Sequence, residues 1–211
     1  GKADVELKPV LLNGTYAIMK SYTKPYASCR YTHPSIEAAI YLRNQYGLKA
    51  EDVERIDIRT YSLAVSGHDH TEIFGSYSAK MSIPYSTAVG LIFGKAGLQE
   101  FSEKMVRNQE ILELAKKVHV IDDKKLSDAF PGIQAAIGYV TVNGQKYSKR
   151  VNDPKGEPEN PLEDKAFKER YDGLMRYAGV KEEISDRIFD LAYEGNISLN
   201  TILGLFESVI L

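Results

Sequence analysis

Cysteine is nearly absent: the 211-residue chain carries one, Cys29. A single thiol excludes an intramolecular disulfide and suits a reducing compartment, so a cytoplasmic location is expected. Neither sign of charge is in excess. The 27 basic and 29 acidic residues leave a formal charge of −2, with no basic surplus to neutralise a phosphate backbone, so no nucleic-acid partner is expected. No apolar run reaches the ~20 residues that span a bilayer, and no membrane association is expected. The opening Gly1-Lys2-Ala3-Asp4 has neither an initiator Met nor the apolar core of a signal peptide; it reads as a processed, tagged or internally cut start. Internal repeats and low-complexity stretches are missing too.

What is present is an ordinary globular composition, 43% hydrophobic, enough for a sizeable core. Residues 1–14 form a lead-in ending in the turn signal Asn13-Gly14. The pattern from Thr15 to Tyr22 predicts a strand. Pro34 in a first turn, Thr32 or His33 as cap and Gly47 as stop predict a helix between them. A strand is predicted over 53–65, from Val53, Ile56, Ile58, Thr60 and Tyr61. Ser82 is a favourable cap for a helix from Ile83 to about Lys95, closed by Gly97. Helical turns follow from Leu98 to Lys117, with a break near Arg107-Asn108, and then a short strand over Val118–Ile121. Alternation from Ala136 to Val151 around Asn143-Gly144 predicts a hairpin with a type I′ turn. Strands alternating with helices plus one antiparallel pair make residues 15–152 an α+β domain. Residues 153–161, with three prolines, read as a linker or crossing segment. Residues 162–211 read as three amphipathic helices: Phe167, Tyr171, Leu174, Met175 and Ala178 share one face, and Ile184, Ile188, Leu191 and Ala192 another. Some 50 residues are too few for a confident independent core, so these faces need outside cover.

The densest group of functional side chains runs from Lys24 to Pro34. Two cations and a histidine lie in a loop that enters a helix N-terminus, where free amides and the helix dipole favour an anion. Arg30 can grip a carboxylate through two parallel hydrogen bonds, Lys24 acts as a point charge, and His33 can move a proton near neutral pH. On spacing alone the bland alternative is favoured, a surface loop in which His33 only caps a helix.

Resemblance alters that weighting. Lys24-Pro25-Tyr26-x-Ser28-Cys29-Arg30-x-Thr32-His33-Pro34 resembles the most recognisable stretch of the MmgE/PrpD family, which includes 2-methylcitrate dehydratase and cis-aconitate decarboxylase. Ser82-Ile83-Pro84-Tyr85 resembles that family's Ser-aliphatic-Pro-Tyr helix start, and Gly156-Glu157-Pro158-Glu159-Asn160-Pro161 its crossing segment. The three stand in the family's order. The resemblance implies an α+β domain inserted into a larger helical domain, with residues from about 160 onward as returning helices whose partners belong to an N-terminal half. It places the active site between the domains, so this chain is expected to hold part of one. It implies catalytic or binding roles for Lys24, His33 and Tyr85, with Arg30 and Ser82 as further carboxylate contacts, and it implies no metal and no cofactor. The implied chemistry is proton abstraction beside a carboxylate, then loss of water, loss of carbon dioxide or reprotonation, with a small di- or tricarboxylate as substrate. The alternative is a truncated or split non-catalytic relative that acts as a binding or assembly module. Either reading expects a partner: a second copy, or a complementary N-terminal helical half.

Other candidates are weaker. His68-Asp69-His70 resembles a metal-ligand triplet, but no further ligand lies at a standard spacing, so polar loop contacts are expected. His119, in an apolar run, is expected to be structural. Cys29 reads as a packed small residue. The run Gly90–Lys95 lacks the spacing of a phosphate loop, and Lys165–Arg170 reads as a solvated helix face.

Overall fold

The structure, a computed structural model, describes residues 16–193, 195 and 198–210; the lead-in of residues 1–14 and Thr15 lie outside them. Its described helices are α1 (His33–Tyr46), α2 (Ser62–Val65), α3 (Ser76–Met81), α4 (Ile83–Phe93), α5 (Gln109–Lys116), α6 (Lys124–Ala129), α7 (Asp164–Tyr177), α8 (Glu182–Tyr193) and α9 (Leu199–Ile210). Four strands, β1 (Val53–Thr60), β2 (Val118–Asp122), β3 (Ala136–Val142) and β4 (Gln145–Val151), form one sheet in the order β2-β1-β3-β4. β1 pairs parallel with β2, and β3 pairs antiparallel with both β1 and β4. The class is therefore α+β, as expected.

Among the described residues the sheet is covered on one face only, so its strands alternate. Ile56, Ile58, Gly138, Val140 and Val142 are buried, while Arg55, Arg59, Lys146 and Arg150 stand exposed on the other side. Helices α1 and α4 cross over the buried face at close range. A methyl group added at Gly138 would lie 3.1 Å from the Ala38 Cβ, and one added at Gly90 would lie 3.0 Å from the Ile36 carbonyl oxygen. Asn143 and Gly144, at φ 50° and 72°, form the hairpin turn.

Several boundaries differ from expectation, each for a local reason. Residues 16–22 are no strand: Ala17–Lys20 is a 3-10 turn, and Tyr16, Ile18 and Met19 stand exposed with no strand beside them among the described residues. β1 stops at Thr60, because the Asp123 amide takes the Thr60 carbonyl at 2.8 Å and the Tyr61 ring turns inward to stack on Phe130. α4 stops at Phe93, since Gly94 already adopts the left-handed conformation that closes a helix, three residues before Gly97. Residues 98–108 form two 3-10 turns, and α5 starts where the Asn108 side chain accepts from the Glu110 and Ile111 amides. His119 is exposed on the open face of edge strand β2, in register with Asp57, and is not enclosed by the apolar residues that flank it. No helix among the described residues is long and apolar enough to cross a membrane.

Candidate active site

Three distant segments pin the loop that leads into α1. The Thr23 amide donates to the Gly156 carbonyl at 2.8 Å, the Ala27 amide to Ala96 at 2.9 Å, and the Cys29 amide to Lys80 at 2.8 Å. Gly156 is at φ +93°, and a Cβ there would overlap the Thr23 carbonyl oxygen, so the close approach requires glycine. Inside the loop, Thr32 Oγ1 donates to the Cys29 carbonyl at 2.9 Å and lies 2.7 Å from Ser28 Oγ. Thr32 thus stabilises the Arg30–Thr32 turn, and its side chain makes no cap bond to α1.

Lys24 and His33 converge on one acceptor. Lys24 Nζ lies 3.3 Å and His33 Nε2 3.4 Å from the Ser28 carbonyl oxygen. Lys24 is exposed, whereas His33 is fully enclosed, with the Tyr26 ring edge-on at 5.2 Å. Burial, followed by the Arg30 charge, lowers the His33 pKa to about 3; the Ser28 carbonyl acts against this and the Lys24 charge with it. His33 is therefore neutral at physiological pH. With Nε2 directed at a carbonyl, Nδ1 is left as a buried acceptor with no partner.

Arg30 is 7% exposed and pairs with Glu157, which joins two of the sequence motifs across 127 residues. Its guanidinium also lies 5.1 Å from the Tyr22 ring centroid, and Nη1 is buried without a partner. One helical turn into α1, Glu37 accepts from the Lys155 amide at 2.8 Å, and burial raises its carboxyl pKa.

Ser82 and Tyr85 stand apart from this group, at the start of α4. Ser82 Oγ donates to the His70 carbonyl at 2.6 Å and accepts from the Tyr85 amide at 3.1 Å. The Tyr85 hydroxyl donates to the Glu100 carbonyl at 3.0 Å, and burial raises the phenol pKa. Both side chains are fully enclosed.

A cleft of about 1050 Å³ lies between the Lys24–Cys29 loop, α3, the segment 94–100 and α7. Lys24, Lys80, Lys95, Arg170 and Arg176 line it, against the acids Glu100 and Glu169. Of the five residues singled out in the sequence, Lys24 reaches it; Ser28 and Tyr26, which His33 touches, form the wall between. Lys165 and Glu169 do form a solvated i,i+4 pair, but Arg170 turns in, its Nε donating to the Lys24 carbonyl. Lys80 and Arg170 escape a sequence reading because they look like surface charges, whereas Glu157 is signalled by its motif but not as the partner of Arg30.

The histidine triplet is spent on loop contacts. His68 Nδ1 lies 2.9 Å from the Ser66 carbonyl and its Nε2 3.5 Å from Cys29 Sγ, while His70 Nε2 lies 3.1 Å from the Ser78 carbonyl. Among the described residues no group of three or more His, Cys, Asp or Glu side chains is placed to hold a metal ion.

A search of curated proteins returned no match for the chain. The family model described as MmgE/PrpD C-terminal domain matches residues 26–194, which takes in the loop from Tyr26 onward, α4 and the crossing segment. At family level this links the chain to dehydratase-type enzymes. A match over residues 26–194, most of its length, makes this chain a member of the MmgE/PrpD family, carrying its C-terminal domain.

Proposed function

We propose that this chain is the C-terminal part of an enzyme that acts on a small di- or tricarboxylate by abstracting a proton next to a carboxylate, with elimination of water of the 2-methylcitrate dehydratase type as the leading reaction. Decarboxylation and epimerisation begin with the same abstraction. The observation that carries the reading is the convergence of Lys24 and His33 on the Ser28 carbonyl at the wall of a cation-lined cleft. Negative charge builds on such a substrate as the proton leaves, and fixed cations and hydrogen-bond donors stabilise it.

In this reading Lys24 and Arg30 bind carboxylate, Arg30 through its unpartnered Nη1. His33, held neutral by burial behind Ser28 and Tyr26, orients the Ser28 carbonyl and relays the abstracted proton, which the departing hydroxyl takes up to leave as water. Tyr85 and Ser82, with hydroxyls engaged on backbone carbonyls, orient the 97–101 segment and the His70 loop. The reaction uses no metal or cofactor. The working site is completed by a complementary helical half or a second copy, which also covers the apolar faces of α7 and α8. We place the protein in the cytoplasm on its single cysteine.

The enclosure of His33 and Tyr85 favours a second reading, a non-catalytic module that only binds or assembles. Turnover of 2-methylcitrate and cis-aconitate, by the chain alone and with a complementary N-terminal half, separates the two. Lys24→Met and His33→Gln should each abolish it; full activity in both variants refutes the assignment.

A further inference from the structure

We infer that the cleft is a two-walled site for a polycarboxylate, in which Lys80 and Arg170 hold carboxylates beyond the one at the Lys24 ammonium and so determine specificity. The inference rests on the proposed carboxylate chemistry and adds residues that no motif marks. Lys24 and Lys80 stand on one wall, on the loop and α3, while Arg170 and Arg176 stand on the other, on α7.

Among the described residues none of these four cations meets a carboxylate. The side chains of Lys80 and Arg176 make no hydrogen bond or ion pair there, Lys24 has only the Ser28 carbonyl, and Arg170 only the Lys24 carbonyl. Other lysines of this net-acidic chain do find acids: Lys116 pairs with Glu113, Lys124 with Asp128, and Lys168 with Asp172 and Asp186. Lys95, on the cleft rim, is already neutralised by Glu100 at 3.2 Å. Unneutralised cations on facing walls of a concave surface focus positive potential and attract a polyanion.

The chemistry of the walls selects spaced carboxylates. Arg170 uses Nε on a backbone carbonyl, so its two terminal nitrogens remain for a carboxylate. Lys80, half-buried, is a compact charge on the opposite side. Gly173 on α7 also lines the cleft and has nothing within 4 Å of where a side chain would start, which leaves room between the walls. A monocarboxylate can satisfy one wall; a di- or tricarboxylate can bridge both.

The test is calorimetric titration of the full 211-residue chain with citrate, acetate and inorganic phosphate at low and high salt. Citrate should bind at least about tenfold tighter than acetate or phosphate, with the margin shrinking as salt rises. Lys80→Met and Arg170→Met should each weaken citrate by about tenfold and leave acetate within about twofold, whereas Lys165→Met on the solvated side of α7 should change nothing. Backbone amide shifts on adding citrate should map to residues 94–97 and to α7. Equal binding of phosphate, equal loss in Lys165→Met, wild-type citrate binding in the Lys80 and Arg170 variants, or shifts that map to the basic open face of the sheet would each overturn the site. Citrate binding with this pattern but no turnover in any combination leaves the site standing and removes the enzymatic reading. Turnover that survives in both variants at unchanged KM does the reverse.

Discussion

Ile36 and Leu174 are both aliphatic residues on the apolar side of a helix, yet Ile36 is fully enclosed and Leu174 is 37% exposed. The contrast holds for the regions they represent. The large buried cluster lies wholly within residues 36–142, where α1, α4 and α5 close over one face of the sheet. α7 has no buried residue, α8 buries Ser185 and Ile188, and Tyr177, Tyr193, Leu199 and Leu203 stand half-exposed or more. The helices α7 and α8 hold each other mainly by polar and aromatic contacts: Lys168 reaches Asp186, the Tyr171 hydroxyl donates to the Ser185 carbonyl at 2.8 Å, and Phe189 packs against Phe167 and Tyr171. An amphipathic pattern therefore guarantees that a face is suited to burial, not that this chain supplies the cover.

The sharpest way to break that comparison is to place the same change in both regions. Gly156→Ala forces a methyl group onto the Thr23 carbonyl at a left-handed φ and should cost more than about 4 kcal/mol in a urea titration. Gly173→Ala, in the interior of α7 with open space around it, should instead stabilise by about 0.5–1 kcal/mol. The opposite signs are the prediction; a loss at both positions would mean that α7 is packed as tightly as the crossing segment.

Ile36→Ala should cost about 2–5 kcal/mol, through lost burial and a cavity that cannot collapse. Leu174→Ala should cost less than about 1 kcal/mol in the chain alone, and clearly more once a complementary helical half covers α7. An unchanged cost in that complex would locate the missing cover elsewhere.

Glu157→Gln leaves Arg30 with no charged partner in a buried position and should cost about 2–3 kcal/mol, below the loss expected for removing one member of a fully buried pair because Glu157 retains some solvent contact. Loss of turnover with a stability change near zero would assign the pair to substrate binding alone.

The remaining effect is the dependence on pH. His33 binds its proton at about pH 3 when folded and near 6.5 when unfolded, so the unfolded state holds more protons between those values. Stability from this residue is complete above about pH 6.5 and declines as pH falls through that window, by about 1.4 kcal/mol per pH unit. Glu37 acts in the opposite direction, because its raised pKa stabilises the folded form at lower pH and that contribution fades as pH rises. The difference between wild type and His33→Gln largely cancels Glu37. Measured by urea unfolding at pH 4.5, 5.5 and 6.5, it should grow with pH; a flat difference would mean that His33 is solvated.

The parts of the fold legible in advance were those set by backbone sterics over a few residues. Pro34 and Gly47 bound α1, Ser82 caps α4, and Asn143-Gly144 turns the hairpin, and in each case the signal and the hydrogen bond it governs lie within four residues. The strand expected over 15–22 failed within the described residues because Ala17–Lys20 coils into a 3-10 turn and no described strand lies beside it. The site was legible in the same uneven way. The loop from Lys24 to His33 stood out by its side chains, while Arg170 looked like an ordinary member of a charged helix face.

The sequence by itself therefore determined where the hairpin turns, where α1 ends and α4 begins, which face of the hairpin is apolar, and, through three ordered motifs, the family to which the chain belongs. Tertiary structure alone decided that His33 is neutral, that Arg30 meets Glu157, and that α7 turns Arg170 toward Lys24 to make a cation-lined cleft. The reason is range. Turns and caps are settled by sterics and hydrogen bonds between near neighbours, whereas desolvation and charge pairing depend on which remote segments fold against a side chain.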